Sequence, residues 1–291
     1  MKWERGHRSK NVEDARGQPA PRGGGALKVG GGGAVVLVII AIIAKLAGVD
    51  LPLPGDTATT PSQAGGTGVT TGGPGTNPAE DELVGFIHFA VDDIQGTFAT
   101  VFAAEGHTYR DAKLKIFTDA VATGCGRSSA AIGPFYCPPD EKAYIDLSFY
   151  RELRQRFGAP GDFAQAYVLA HEFGHHCQQL LGANDEVARA TRRDRSRANE
   201  LSVRVELQAD CYAGVWAHST RQRQLLDAGD IEESLAAAAA IGDDRLQKMA
   251  GEDLNPETWT HGSSAQRVRW FKIGLERGTL AACDTFAALD L

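Results

Sequence analysis

Hydrophobic residues recur at helical spacing in five stretches of this 291-residue chain. The spacing predicts helices over residues 82–104, 162–181, 199–222, 231–250 and 263–277. Two short apolar runs, residues 114–117 and 143–147, flank a loop rich in Gly, Cys and Pro and indicate strands. The order of a helix, a small sheet and then further helices predicts an α+β fold.

The longest uninterrupted apolar run precedes all of these elements. Residues 34–44 are AVVLVIIAIIA, and the wider stretch 29–49 holds a single charge, Lys45. As a helix, residues 29–49 span about 31 Å, which matches a hydrocarbon core of roughly 30 Å. We therefore expect a transmembrane helix over 29–49. A cleaved signal peptide and a buried core element are the alternatives.

The charge of the chain is unevenly divided. Residues 1–33 hold seven Lys/Arg against three Asp/Glu, a net charge of +4, so the rest of the chain carries −11 of the total of −7. An acidic main body argues against nucleic acid as a partner. Residues 1–33 are basic, rich in Gly and Pro and poor in large apolar residues, which predicts a mostly disordered tail. We expect its part before the membrane helix, residues 1–28, in the cytoplasm, because a basic flank stays inside. Residues 50–79 then form a Gly/Thr/Pro-rich linker, and residues 80–291 a folded extracytoplasmic domain.

The strongest candidate for a catalytic motif lies in the second predicted helix, which contains the sequence H-E-x-x-H at 171–175. Positions i and i+4 share a helix face, so His171 and His175 can direct their imidazoles at one zinc ion. Glu172 is rotated by about 100° from His171 and lies beside the metal, where it can deprotonate a bound water. Asp162 as N-cap and Gly182 as C-terminal stop would bound this helix.

Two histidines leave a catalytic zinc one protein ligand short. Glu206 is the best third candidate, and Glu200 is a weaker rival. Glu206 lies in an apolar part of the helix predicted over 199–222, so its carboxylate is expected to be buried and to need a partner. Asp210, on the same face, can accept the outer N–H of His171 and fix its tautomer.

Longer strings of the sequence resemble a known family. H-E-x-x-H followed 31 residues after His175 by E-x-x-A-D is similar to the gluzincin arrangement. The strings that resemble the bacterial YpfJ-type family of neutral zinc metallopeptidases are MKWERGHRSKNVEDARG, GPFYCP, YIDLSFY, GDFAQAYVLAHEFGHH, LSVRVELQADCYAGVWAH, AIGDDRLQ and THGSSAQRVRWF. The resemblance covers nearly the whole chain except the linker. It implies a membrane-tethered, zincin-like domain that binds Zn²⁺ through His171, His175 and Glu206, with Glu172 as the base.

A peptidase also needs a donor to the oxyanion of its transition state. His261, in the loop before the last predicted helix, is our candidate; a polar histidine in a capping loop is the alternative. His261 followed by Arg267 is similar to the C-terminal His/Arg pattern of a class of membrane metallopeptidases, which usually have proline in place of Gly262. Arg267 is expected behind the ligands, where it positions the loop or a substrate carbonyl. By analogy, substrate would add along an edge strand at residues 144–147.

Five cysteines fit two disulfides and one free thiol in an oxidising compartment. Cys125 and Cys137 bracket a Gly/Ser/Pro loop and are expected to close it. Cys211 then pairs with Cys283 or Cys177, and the family resemblance favours Cys283. Reduced, buried thiols are the alternative.

These features predict a single-pass membrane zinc metallopeptidase that cleaves a peptide or protein substrate. In the expected mechanism zinc lowers the pKa of a water, Glu172 takes its proton, and the proton passes to the leaving amine. Two other functions stay open: a non-catalytic, membrane-tethered zinc-binding interaction protein, and a zinc hydrolase of a non-peptide amide or ester.

Overall fold

The computed structural model describes residues 1–18, 78–130, 133–159 and 161–291. The predicted transmembrane helix at 29–49 and nearly all of the linker at 50–79 lie outside these residues. Within the described ranges, no helix is long and apolar enough to cross a membrane.

The described residues form an α+β domain, as predicted. Its α-helices are α1 (Pro78–Ala104), α2 (Ser148–Gln155), α3 (Asp162–Leu181), α4 (Ala183–Arg193), α5 (Ala198–Gln222), α6 (Asp230–Ala240), α7 (Asp243–Ala250) and α8 (Ser264–Arg277). Its strands are β1 (Val12–Asp14), β2 (Lys113–Phe117), β3 (Ala120–Thr123), β4 (Gly126–Ser129), β5 (Phe135–Cys137) and β6 (Lys142–Asp146). A helix, a small sheet and a following set of helices fit a zincin-like domain.

Four strands form the main sheet in the order β1-β2-β6-β5, and β3 and β4 form a separate hairpin. β1, β2 and β6 are parallel, while β5 is antiparallel to β6. The predicted substrate-binding edge at residues 144–147 is wrong for Tyr144, which pairs with Lys115 on one side and with Phe135 on the other. Ile145 and Asp146 pair with β2. The outer strand on that side of the sheet is β5, whose three residues are buried and too few to stand out in the sequence.

The prediction of a disordered tail is wrong for residues 1–18. β1 adds to the sheet beside β2, and Asn11 is buried. Trp3 packs edge-to-face against Phe86 of α1, with ring centroids 5.7 Å apart. The average composition of residues 1–33 concealed a few residues, among them Trp3 and Val12, that find apolar partners in the domain.

α3 runs through the core, and both of its ends match the predicted bounds. Gly161 rather than Asp162 is the N-cap, whereas Gly182 ends the helix in the left-handed conformation at φ 80°. Phe163 of α3 stacks on Trp216 of α5 at 4.9 Å, which joins two of the largest buried side chains.

The helix predicted over 231–250 is two helices, α6 and α7. They separate at Gly242, whose backbone lies against the amide nitrogen of Ser264; a Cβ at Gly242 would collide with that nitrogen. The break therefore makes room for the chain that leads into α8. Ser263 caps α8 as predicted and forms a capping box with Gln266.

Two disulfides join Cys125 to Cys137 and Cys211 to Cys283, as expected. Cys177, on α3, is free and buried.

Candidate metal centre

α3 and α5 bring two imidazoles and one carboxylate together at the heart of the domain. One ligand atom from each of His171, His175 and Glu206 lies within 4.8 Å of the others. His171 Nε2 is 3.2 Å from Glu206 Oε2, and His175 Nε2 is 3.6 Å from Glu206 Oε1. The three side chains therefore converge on one point.

The close approach of the two helices depends on small residues. A Cβ on Gly174, between the two histidines, would lie 3.0 Å from the carbonyl oxygen of Ala209 on α5. Such a distance is tighter than ordinary van der Waals contact. Gly174 on α3 and Ala209 on α5 let the two helix axes come close enough for the side chain of Glu206 to reach both histidines.

Both histidines use their outer ring nitrogen to contact a buried polar group. Asp210 Oδ1 lies 2.9 Å from His171 Nδ1, as predicted. Gln178 Oε1 lies 2.8 Å from His175 Nδ1, and Gln178 in turn donates to the carbonyl of Val205 on α5 at 2.7 Å. When Nδ1 donates to these oxygens, Nε2 of each ring presents its lone pair to the common point.

Sequence reasoning missed Gln178. Its position three residues after His175 places both side chains on one face of α3, and that spacing was the available signal. Gln178 is completely buried, so its amide must be satisfied internally.

Arg267 lies behind His171. Its side chain is 1% exposed, and it donates to both oxygens of Asp210 at 2.8 and 2.9 Å. Tyr167 also donates to Asp210, at 2.5 Å. Asp210 thus accepts from a guanidinium, a phenol and an imidazole, and this network fixes the position of His171.

The charges of this network shift several pKa values. Burial lowers the pKa of His171, but Asp210 and Glu206 outweigh burial and raise it to about 10 in the absence of metal. Burial raises the pKa of Glu206, whereas the hydrogen bond from His171 and the charge of His175 bring it well below its usual range. Arg267 and His171 similarly lower the pKa of Asp210. Both carboxylates are therefore anionic across the physiological range.

Glu172 is buried next to the cluster but is not part of it. Burial raises the pKa of its carboxyl group, and the neighbouring His175 and His171 partly offset that effect. A carboxylate with a raised pKa is a better proton acceptor than an exposed glutamate.

His261 also lies at this centre. It is buried and close enough to Glu206 to help lower the pKa of that carboxylate. Its Nδ1 lies 3.0 Å from Asp243 Oδ1, and Asp243 Oδ2 accepts from the backbone N–H groups of Thr260, His261 and Gly262 at 2.7–2.9 Å. Sequence reasoning missed Asp243, whose partners come 17 to 19 residues later. One aspartate therefore fixes both the loop and the imidazole ring.

The donor set fits zinc. Two neutral imidazole nitrogens and one carboxylate form one of the known three-ligand sets of catalytic zinc, and the outer nitrogens already have acceptors. A second group within the described ranges, Asp162, Asp230 and Glu233, also clusters. The amino nitrogen of Met1 lies 2.7 Å from Asp162, so this group already has a cation beside it.

An H-E-x-x-H helix, a glutamate on a following helix and a buried aspartate behind the first histidine define the class of gluzincin-like zinc sites. A family model described as "Putative neutral zinc metallopeptidase" matches residues 1–286. YpfJ of Escherichia coli (strain K12) is 42% identical over 298 aligned residues, which cover 98% of this chain and 99% of YpfJ. Rv2575 of Mycobacterium tuberculosis (strain H37Rv) is 48% identical over 194 residues, which cover 63% of this chain and 65% of that protein.

The chain belongs to this neutral zinc metallopeptidase family, and the family implies Zn²⁺ as its metal. No solved structure gives a significant match.

Proposed function

We propose that this protein is a zinc-dependent peptidase that hydrolyses peptide bonds with Glu172 as general base and His171, His175 and Glu206 as zinc ligands. The convergence of those three ligands beside the buried carboxyl group of Glu172 carries the proposal. A protein that only bound zinc would have no use for a desolvated glutamate at that position, because its burial costs free energy.

Each surrounding residue has a role that follows from its contacts. Bound zinc would activate a water and polarise the scissile carbonyl. Glu172 takes the proton of the attacking water and returns it to the leaving amine. His261 contacts Asp243 through Nδ1, and as an imidazolium, in which both ring nitrogens donate, it donates from Nε2 to the developing oxyanion.

We propose further that residues 29–49 attach the domain to a bacterial membrane and that the domain works outside the cytoplasm. The length of the apolar run supports the attachment. The two disulfides support an oxidising compartment, since such bonds persist outside the cytoplasm.

The test compares the full-length protein with Glu172→Gln, Glu206→Gln and Glu200→Gln variants. Glu200 is the matched control because it lies on α5 as well but pairs with Arg197 and Arg204 at the surface. Zinc content and cleavage of casein and of a peptide library are measured for each protein. We expect about one zinc per chain in all but Glu206→Gln. We expect cleavage to fall by at least about 1000-fold in Glu172→Gln and to be unchanged in Glu200→Gln.

Full zinc binding with no cleavage by any form would overturn the peptidase proposal and favour a zinc-binding interaction protein. Cleavage of simple amides or esters but no peptides would favour the non-peptide hydrolase. Cleavage that survives in Glu172→Gln would exclude Glu172 as the base.

A further inference from the structure

The first 18 residues are built into the same domain as the metal centre. Leu114 donates its backbone N–H to the carbonyl of Asn11 at 2.7 Å, and Ala15 donates to the carbonyl of Ile116 at 2.9 Å. These two bonds extend the parallel pairing of β1 with β2 by one residue beyond each end of β1. Backbone bonds of this kind require the two segments to lie about 5 Å apart.

Side chains fix the same segment to α1. Ser9 donates from its hydroxyl to Asp92 at 2.5 Å and from its backbone to His88 at 3.0 Å. His7 contacts the other oxygen of Asp92 at 2.8 Å. Ser9 and His88 are both buried, so the segment contributes to the interior of the domain.

The end of the first described range and the start of α1 lie close together. Arg16, near the end of the first part, lies 3.6 Å from Glu80 and 3.4 Å from Asp81, in the first turn of α1. The chain between them, residues 19–77, contains the apolar run at 29–49. The described residues on either side of that segment therefore lie on the same face of the domain.

A chain that crosses a bilayer once has its two ends on opposite sides of roughly 30 Å of hydrocarbon. Backbone hydrogen bonds between β1 and β2 do not form across that distance. A second crossing would need another apolar stretch, and residues 50–77 consist largely of Gly, Thr, Pro and Ala.

We infer that residues 1–18 and the metal-site domain lie on the same side of the membrane, with the face around Arg16, Glu80 and Asp81 turned toward it. This placement excludes a single crossing of the bilayer between residues 18 and 78. This inference rests on the proposed membrane attachment, and it replaces the expected cytoplasmic tail with a strand of the catalytic domain.

The charges that indicated a cytoplasmic tail fit this arrangement. Arg5 lies 2.8 Å from Glu82, and Arg16 contacts Asp14 and Asp81 as well as Glu80. The basic segment thus pairs with the acidic domain, and part of its charge is balanced there. A flank whose charges are matched in this way is a weaker signal for retention in the cytoplasm.

The test is labelling of single cysteines in intact spheroplasts with a membrane-impermeant maleimide. Lys10→Cys reports on the first segment and Asp290→Cys on the domain; both native side chains are more than 80% exposed. The native cysteines are a built-in control, since four form disulfides and Cys177 is buried. Detergent-permeabilised cells give the full extent of labelling for each variant.

We expect the two variants to label to the same extent, within about twofold, before permeabilisation. Labelling of Asp290→Cys with protection of Lys10→Cys would overturn the inference and restore a single crossing. A separate carbonate extraction tests the membrane attachment. Release of the protein into the soluble fraction would contradict both the proposed attachment and the assigned membrane face, whatever the result of the labelling.

Discussion

Asp210→Asn is the sharpest perturbation of this site, because it removes one charge and almost no volume. Asp210 is completely buried and accepts from Arg267, Tyr167 and His171. An asparagine has one acceptor oxygen and one NH₂ group, so in either orientation that NH₂ faces a donor. The guanidinium of Arg267 then lacks its carboxylate partner.

The expected magnitude follows from two separate losses. Breaking a buried ion pair costs about 3–5 kcal/mol, a large part of the 5–15 kcal/mol typical of a whole domain. The zinc affinity falls as well, because His171 loses a charged acceptor. We expect a loss of about 10-fold, or about 1.4 kcal/mol, at the lower end for such a change, since the amide oxygen can still accept from His171.

Two assays separate these effects. Urea unfolding of the metal-free protein gives the free energy of unfolding, and competition with a chelator gives the zinc dissociation constant. Glu200→Gln on the same helix is the control, and its exposed ion pairs predict a change below about 1 kcal/mol. The double variant Asp210→Asn/Arg267→Met removes the unpaired charge and is expected to regain most of the stability but not the zinc affinity.

An unchanged urea midpoint in Asp210→Asn would refute the claim that Arg267 and Asp210 form an essential buried pair. Wild-type zinc affinity in the double variant would refute the claim that the charge of Asp210 supports His171 as a ligand.

Three further predictions use other parts of the structure. Zinc binding at pH 7 should release about one proton, because the pKa of His171 is about 10 without metal, and the affinity should fall about tenfold per unit as pH decreases; calorimetry in buffers of different ionisation enthalpy measures that proton. Gly274→Ala should destabilise the domain by about 1–3 kcal/mol, since its Cβ would collide with the carbonyl of Cys211, whereas Gly96→Ala on α1 meets open space and should stabilise by about 0.5–1 kcal/mol. Urea unfolding of this matched pair would contradict the prediction if the two shifts had the same sign. Replacing both Cys211 and Cys283 by alanine should cost about 4 kcal/mol, against about 3 kcal/mol for the other disulfide, because the closed loops span 72 and 12 residues; equal losses in thermal unfolding would argue against the loop-length account.

Local signals explain most of what the sequence predicted correctly. The period of the apolar residues located α3 and α5, and the glycines after α3 and α8 marked their ends. The i, i+4 spacing of the two histidines needs only a helix to bring their rings together. Such features depend on neighbours within one or two turns, so a single sequence contains them.

The remaining features depend on contacts between distant residues. β1 is three residues long and pairs with a strand about 100 residues later, and its local sequence does not predict that pairing. Asp243 lies at the first position of α7, where acidic residues are common for helix-terminus reasons alone. Asp243 also positions His261, and that contact forms only because the loop before α8 packs against the start of α7.

Glycine packing and zinc chemistry are linked through α8. Gly214 on α5 and Gly274 on α8 let these two helices touch along their backbones, since a Cβ on either would collide with the partner helix. α8 carries Arg267 two turns before Gly274, and the short distance between the helices lets the guanidinium reach Asp210. Because Asp210 positions His171, a side chain at 274 that separates the helices should weaken zinc binding without touching any ligand. If Gly274→Ala lowered the stability but kept the wild-type zinc dissociation constant, the distance between α5 and α8 would not control zinc binding through the Arg267–Asp210 pair.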